Sequence, residues 1–211
     1  VLLCVDGGCS PGYDAIVAFL TEEFEARGRR VTVASTGFKS VVSGKDEDFH
    51  ILIHDEQLYK MINVGPRIIY APSLVLRRGS SFRTERFPEF SRVEHQRKAA
   101  QVITERNVKT LICIGGNGTL AGAKSLSRFL PAQTQCFFIP CSIDSDVGGT
   151  ETIGQHTAVE MGAEKLRCYI ADGMTHHRAY FIEMMGRDGG HHTLYSALGA
   201  GAALALMPHS K

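Results

Sequence analysis

No apolar run in this 211-residue chain approaches the roughly 20 residues that a membrane-spanning helix needs, so no helical span is expected. No signal-peptide pattern is present, and a cytoplasmic location is the expectation. Surplus charge of either sign is also missing. Lys and Arg number 23 against 22 Asp and Glu, a formal net charge of +1. Nothing in the bulk electrostatics points to nucleic acid or a membrane surface, so local basic residues must carry any anion binding. The six cysteines (Cys4, Cys9, Cys113, Cys136, Cys141 and Cys168) include no Cys-x-x-Cys pair. Several lie in apolar, strand-like runs, and they read as reduced thiols in a reducing compartment. Internal repeats, low-complexity segments and clear linkers are absent. The chain begins with Val1 rather than Met, which raises the expectation of a fragment or a processed product.

What is present is the composition of an ordinary globular protein, 44% hydrophobic and 21% charged. The length suits one large domain or two small ones. "VLLCV" (1–5) is a short apolar run before the turn-rich "DGGCSPG". Residues 11–26 carry a helical apolar stripe of Ile16, Val17, Phe19, Leu20 and Phe24. "RVTVAST" (30–36) is strand-like; residues 56–63 predict a short helix ended by Gly65-Pro66, then a strand at "RIIYA". A basic, serine-containing loop (72–88) precedes a polar, surface-facing helix at 89–106. "TLICI" and "CFFIP" are continuous apolar runs, the mark of strands buried on both faces. Residues 153–171 predict a helix, "AYFIEMMG" (179–186) a buried strand, 192–200 a helix and "ALALMP" a last strand. Strands alternating with helices predict an α/β fold, a parallel sheet flanked by helices.

Ligands of such sheets collect beyond the carboxyl ends of the strands, and four loops qualify. "DGGCSPG" offers Gly7 and Gly8 ahead of a helix start. "GGNGT" (115–119), with Gly122 a turn later, offers a nest of backbone N–H groups. It is neither a Walker A loop nor Gly-x-Gly-x-x-Gly. Each loop reads as a phosphate cradle or as a tight structural turn. "SIDSD" (142–146) sets two carboxylates two residues apart, on one side if the chain is extended. Asp144 could accept a proton from a substrate alcohol, with Asp146 orienting groups or metal-bound water; the alternative is a helix-capping cluster. "MMGR" (184–187) presents Arg187, and Arg86 and Arg178 add fixed positive charge, as phosphate ligands or as surface ion pairs. His176–His177 and His191–His192 are adjacent pairs without a zinc spacing, so solvent or a phosphate contact is expected of them.

In this order, "GGCSPG", "RFPEF", "IGGNGT", "SIDSDVGGTETIG", "HHRAYFIEMMGR" and "SALGAGA" resemble the 6-phosphofructokinase family over essentially all of the chain. The resemblance implies a two-domain α/β subunit: a nucleotide-binding domain over 1–139, and at 140–211 the start of a sugar-phosphate-binding domain whose remainder is missing. It implies transfer of the γ-phosphoryl of ATP, with Mg²⁺, to the 1-hydroxyl of fructose 6-phosphate in an oligomer whose subunits share the site. Carried over by position, Asp144 is the base and Asp146 its partner near the metal. Ser142 contacts the transferring phosphoryl, which Arg187 and Arg86 steady. Gly8, Gly118, Thr119 and Gly122 form the phosphate cradle, and Phe38 packs near the adenine. Met185 contacts the sugar, and Arg178 reaches a neighbouring subunit's sugar phosphate.

The pattern also departs from the family. Asn117 stands where the family usually has the Asp that helps hold Mg²⁺, and an amide is a weaker partner for a hard cation. Ser91 replaces a phosphate-binding arginine, with Arg92 beside it as a substitute. Cys9 replaces an Asp. Ala18 and Glu22 stand where allosteric bacterial members use arginines. Gly118 and Cys141 stand where the pyrophosphate-dependent branch has an acid and a lysine, so ATP is the expected donor. The rivals are that pyrophosphate branch, a non-catalytic regulatory half, and a related "GGDGT" kinase acting on lipids or NAD. The last leaves "SIDSD" and "MMGR" unexplained.

Overall fold

The computed structural model describes residues 1–62, 65 and 67–208. Six strands form one sheet: β1 (Leu2–Val5), β2 (Val31–Ala34), β3 (Phe49–Ile53), β4 (Ile68–Tyr70), β5 (Thr110–Gly115) and β6 (Gln135–Pro140). Their order is β4-β3-β2-β1-β5-β6, and every pairing is parallel except β2 with β3. "LLCV" and "TLICIG" occupy the centre, where both faces are covered, which is why these runs are apolar without alternation.

The chain leaves β1 toward β2 on one side and leaves β5 toward β6 on the other. The switch in direction therefore falls between β1 and β5, which pair with Val5 opposite Ile114. Loops that leave strands on either side of such a switch splay apart and open a crevice.

The helices are α1 (Tyr13–Glu25), α2 (Phe38–Ser43), α3 (Glu56–Ile62), α4 (Val93–Glu105), α5 (Asn117–Leu126), α6 (Gln155–His176) and α7 (His191–Ala200). One face of the sheet is sealed by residues of α2, α4 and α5, including Phe38, Val41, Ile103 and Leu126. The other is sealed by Tyr13 and Val17 of α1 together with Leu74 and Phe82. Beyond β6, α6 and α7 pack on each other through small residues. A Cβ on Gly162 would lie 2.6 Å from Ser196 Oγ, and one on Gly199 would lie 3.3 Å from Ala163 Cβ.

Several expectations need correction. "AYFIEMMG" and "ALALMP" form no strand, and Phe181 is 93% exposed and Leu204 71%. A strand exists only where a neighbour satisfies its backbone groups, and all six strands belong to the sheet that ends at β6. Conversely, β3 and α2 were not anticipated. β3 lies at the outer, antiparallel part of the sheet, and α2 has only 6 residues, too few to show a period. The helix expected at 89–106 begins at Val93 after a 3-10 turn, Pro88–Ser91, and buries Ala99, Ala100 and Ile103 rather than facing only solvent. Residues 63 and 66 of the expected α3 end lie outside the described residues.

Candidate active site

The carboxyl ends of β1, β5 and β6 converge on one cavity of ≈ 580 Å³. Glycine at two positions makes the convergence possible. A Cβ on Gly115 would lie 2.5 Å from the Asp6 carbonyl oxygen and 2.2 Å from Thr119 Oγ1. Gly154 holds φ at 96°, and a Cβ there would meet Pro11 O at 2.0 Å, so the loop after β1 and the start of α6 touch backbone to backbone. Buried Tyr13 adds a tie, its hydroxyl lying 3.2 Å from Asp6 O and 3.3 Å from Cys141 O.

The first wall is the N-terminus of α5. Asn117, Gly118 and Thr119 open this helix, and their N–H groups lack intrahelical acceptors. No atom lies within 4 Å of a Cβ built on Gly118, so the space in front of it is open. Thr119 is only 1% exposed and its hydroxyl donates to Asp6, leaving its backbone amide as its contribution to a cradle. Gly122 also borders the cavity and makes room for a neighbour: a Cβ there would lie 2.6 Å from Phe38 Cε2. Phe38 itself is stacked on Phe90 at 4.1 Å and is nearly fully buried, while still bounding the cavity.

The second wall is the acid loop. Ser145 has a left-handed φ of 54°, so residues 144–146 are not extended, and the anticipated same-side geometry does not arise that way. Both Asp144 and Asp146 still border the cavity, Asp144 half-buried and Asp146 exposed. Burial, and then the Asp146 charge, hold the Asp144 carboxyl above the usual carboxylate range, against the opposing pull of Arg187, Arg86 and His192. Ser142 Oγ accepts the Asp144 N–H at 3.1 Å and so shapes the turn. Asn117 Nδ2 donates to Asp146 O at 3.0 Å. An aspartate could not make this bond, so the amide clamps the acid loop to the start of α5 while its own oxygen stays free.

Arginines close the site. Arg86 Nη2 lies 3.7 Å from where a Gly8 Cβ would be, and Arg86 forms no ion pair among the described residues. Arg187 has φ 51° and pairs only loosely with Asp188, at 3.4 Å. Met185 stands beside it in the cavity wall, as does Ser91, whose hydroxyl donates to Pro88 O at 2.9 Å. Arg178 does not border this cavity; its guanidinium lies 3.8 Å from Asp172 on the exposed end of α6. Arg92 does not border it either. His176 pairs with Asp172, and the ring nitrogens of buried His192 lie 3.1 Å from Met185 O and 3.0 Å from Ala158 O, so neither is a free ligand. Among the described residues no group of three or more His, Cys, Asp or Glu can hold a metal ion. The donors present, the Asn117 oxygen and the Asp146 carboxylate, fit a Mg²⁺ that keeps most of its bonds to phosphate and water.

Several cavity residues escaped the sequence reading, among them Asp6, Tyr13, Phe90 and Gln96. Asp6 had a signal, being the last residue before a glycine pair at a strand end. Gln96, in the first turn of α4, had none.

The family model for phosphofructokinase matches residues 1–211. The chain belongs to the phosphofructokinase family. It is 30% identical over 206 residues to the ATP-dependent 6-phosphofructokinase of Aquifex aeolicus, covering 97% of this chain and 58% of that protein. The corresponding enzyme of Finegoldia magna is 31% identical over 99% of this chain and 59% of its own length. The chain thus spans under two thirds of these curated relatives. Phosphofructokinase of Saccharomyces cerevisiae superposes with a TM-score of 0.78 at 23% identity, over 93% of this chain and 27% of that one. A pyrophosphate-dependent phosphofructokinase from Nitrosospira multiformis gives 0.75 at 15% identity, over 94% and 49%. At those identities the likeness establishes the shared fold alone, the mostly parallel sheet flanked by helices.

Proposed function

We propose that the polypeptide carrying this chain is an ATP-dependent 6-phosphofructokinase, moving the γ-phosphoryl of ATP to the 1-hydroxyl of fructose 6-phosphate. One observation carries the reading: a partly buried carboxylate, Asp144, faces the same cavity as the glycine-opened N-terminus of α5, with Arg86 and Arg187 on its rim. Phosphoryl transfer asks a protein for positioning and charge neutralisation more than for covalent chemistry. The N–H groups at 117–119 and the loop at Gly8 cradle the donor phosphates. Asp144 takes the proton of the 1-hydroxyl as that oxygen bonds to the γ-phosphorus. The bond to the β-bridging oxygen breaks and ADP departs. Arg86 and Arg187 offset the charge on the moving group, and Ser142 shapes the turn beneath it.

Asp146 and the Asn117 oxygen would hold Mg²⁺, which would supply further charge neutralisation for the transferring group. Open space before Gly118 suits the bulk of a nucleotide; in the pyrophosphate-dependent branch an acid stands at this position. Residues 140–211 read as the start of a sugar-phosphate-binding unit, where Met185 contacts the sugar. Arg178, exposed just past the end of α6, reaches a sugar phosphate in a neighbouring subunit of a homo-oligomer. A cytoplasmic setting fits this chemistry. A regulatory, non-catalytic half is the second reading, favoured by Asn117 and Ser91 in place of an acid and an arginine.

A coupled assay on the natural polypeptide, with ATP and pyrophosphate each tried as donor, tests both. Turnover with ATP and a fall of about 10²–10⁴ in kcat for Asp144→Ala are expected. Equal turnover of the variant would remove Asp144 as base, and no turnover of the wild type with either donor would favour the regulatory reading.

A further inference from the structure

Asp6 ends β1 directly behind the cavity and is 7% exposed. The chemistry above does not use it. Its Oδ1 accepts the backbone N–H of Phe38 at 3.2 Å, and its Oδ2 accepts the Thr119 hydroxyl at 3.0 Å. The carboxylate therefore joins the start of α2, which carries the aromatic wall, to the start of α5, which carries the open glycine turn. Two glycines make room for it. A Cβ on Gly37 would lie 2.4 Å from Asp6 Oδ1, and the Gly115 clash described above involves Asp6 as well. No Lys, Arg or His pairs with Asp6 among the described residues. A buried, unpaired charge held this closely is costly, and such a cost is commonly met where it serves a site.

We propose that Asp6 is a positioning residue for the donor: it fixes the aromatic wall against the phosphate cradle, and it couples binding of a polyanion to uptake of a proton at its own carboxyl. The inference rests on the reading of this cavity as a donor-phosphate site. Its physical basis is plain. Burial pushes the Asp6 carboxyl up to about 6, against the pull of its bonds to Phe38 and Thr119. Phosphates arriving at the 116–119 turn add negative charge next to it and push it further up. The protonated form then binds the anion better. Affinity is highest below the free-state value, declines as pH rises through it, and levels off above the bound-state value.

The surrounding groups leave this role to Asp6. Tyr13 of α1 and Cys4 on its own strand are pushed up by burial, and Cys113 of β5 is its third titratable neighbour. Lys39, next to Phe38 on α2, is exposed and paired with Glu85. Arg86, Arg187, Asp144 and Asp146 share the cavity. Asn at position 6 would keep every hydrogen bond: its amide oxygen accepts from Phe38, its NH₂ donates to Thr119, and Thr119 donates to the residue 6 carbonyl.

Calorimetry of metal-free ATP binding to the natural polypeptide, in buffers of different ionisation enthalpy at pH 6.5, tests the proposal. Comparing wild type with Asp6→Asn cancels the titration of ATP and of Asp144. A one-unit shift makes the wild type take up about half a proton more than Asp6→Asn. Asp6→Ala, which strands the Phe38 N–H and cuts the side-chain link between the starts of α2 and α5, should weaken ATP binding at least about tenfold, with Asp6→Asn staying near wild type at pH 6. Equal proton uptake by wild type and Asp6→Asn would overturn the coupling, and unchanged affinity in Asp6→Ala would overturn the positioning. No binding heat from the wild type at any pH would instead remove the donor site and, with it, this proposal.

Discussion

At the scale of single residues, the acid pair behaves as two different groups because their surroundings differ. Asp144 is half-buried and faces Asp146, and both effects hold its carboxyl up; Asp146 is exposed and lends its carbonyl to Asn117. A base must be deprotonated to work, so kcat/KM should rise with pH through a raised acid limb. Asp146→Asn removes the like charge and should shift that limb to lower pH; Arg187→Ala removes an opposing charge and should shift it higher. A pH profile of kcat/KM for the three proteins checks the pair of shifts. Limbs that coincide would mean that these charges do not act on Asp144. Asn117 shows how a side chain that looks like a loss can carry a gain. The amide lacks the charge of a carboxylate but supplies a donor, which joins α5 to the acid loop. From sequence the loss was legible; the hydrogen bond was not, because it depends on where the Asp146 carbonyl points.

At the scale of elements, glycines decide which surfaces can approach. α6 and α7 meet at Gly162, where an added methyl would sit 2.6 Å from Ser196 Oγ and 2.8 Å from Met184 Cε. Gly162→Ala should therefore destabilise by about 1–3 kcal/mol through overpacking, more than the ~0.5–1 kcal/mol that Ala gains over Gly within a helix. A lowered thermal midpoint checks the sign, and a rise would show that the helices yield. His192 works in the same region. It sits between Met185 O and Ala158 O, where the segment leading to Arg187 packs against α6. A neutral ring carries one N–H and can donate to one of these carbonyls at a time. The sequence placed most helices and the central strands to within a few residues, since their periodicity or continuous apolarity is a local property. It missed β3 because an antiparallel outer strand is recognised only through its neighbours.

At the scale of the whole molecule, the two ends of the chain differ in how they satisfy themselves. The central strands β1 and β5 bury their apolar runs on both faces, whereas "CFFIP" does not meet that expectation: β6 is an edge strand, and its Phe137 is 50% exposed. The segment at 179–186 and the last residues described hold Phe181, Met185, Leu204 and Leu206 out to solvent, at 93%, 66%, 71% and 66% exposure. Large apolar side chains held out to solvent in this way offer sites for dyes and partners. The 211-residue chain should therefore enhance the fluorescence of a hydrophobic dye. Phe181→Ser should reduce that signal and change unfolding stability by no more than about 0.5 kcal/mol. A large stability loss in the variant would show that Phe181 already packs in solution.

The sequence by itself determined the α/β alternation, the glycine turn at 115–119, the acid loop at 142–146 and the supply of arginines. These are written in local patterns: apolar runs, turn residues, charges at strand ends. Tertiary structure alone decided which apolar runs became strands, because a strand needs a partner that sequence does not name. It also decided that loops after β1, β5 and β6 meet at one crevice, that Asp6 stands behind it, and that Asn117 holds the acid loop in place. Those outcomes depend on distances between residues far apart in the chain, 113 positions for Asp6 and Thr119 and 128 for Tyr13 and Cys141, and only the closed fold sets such distances.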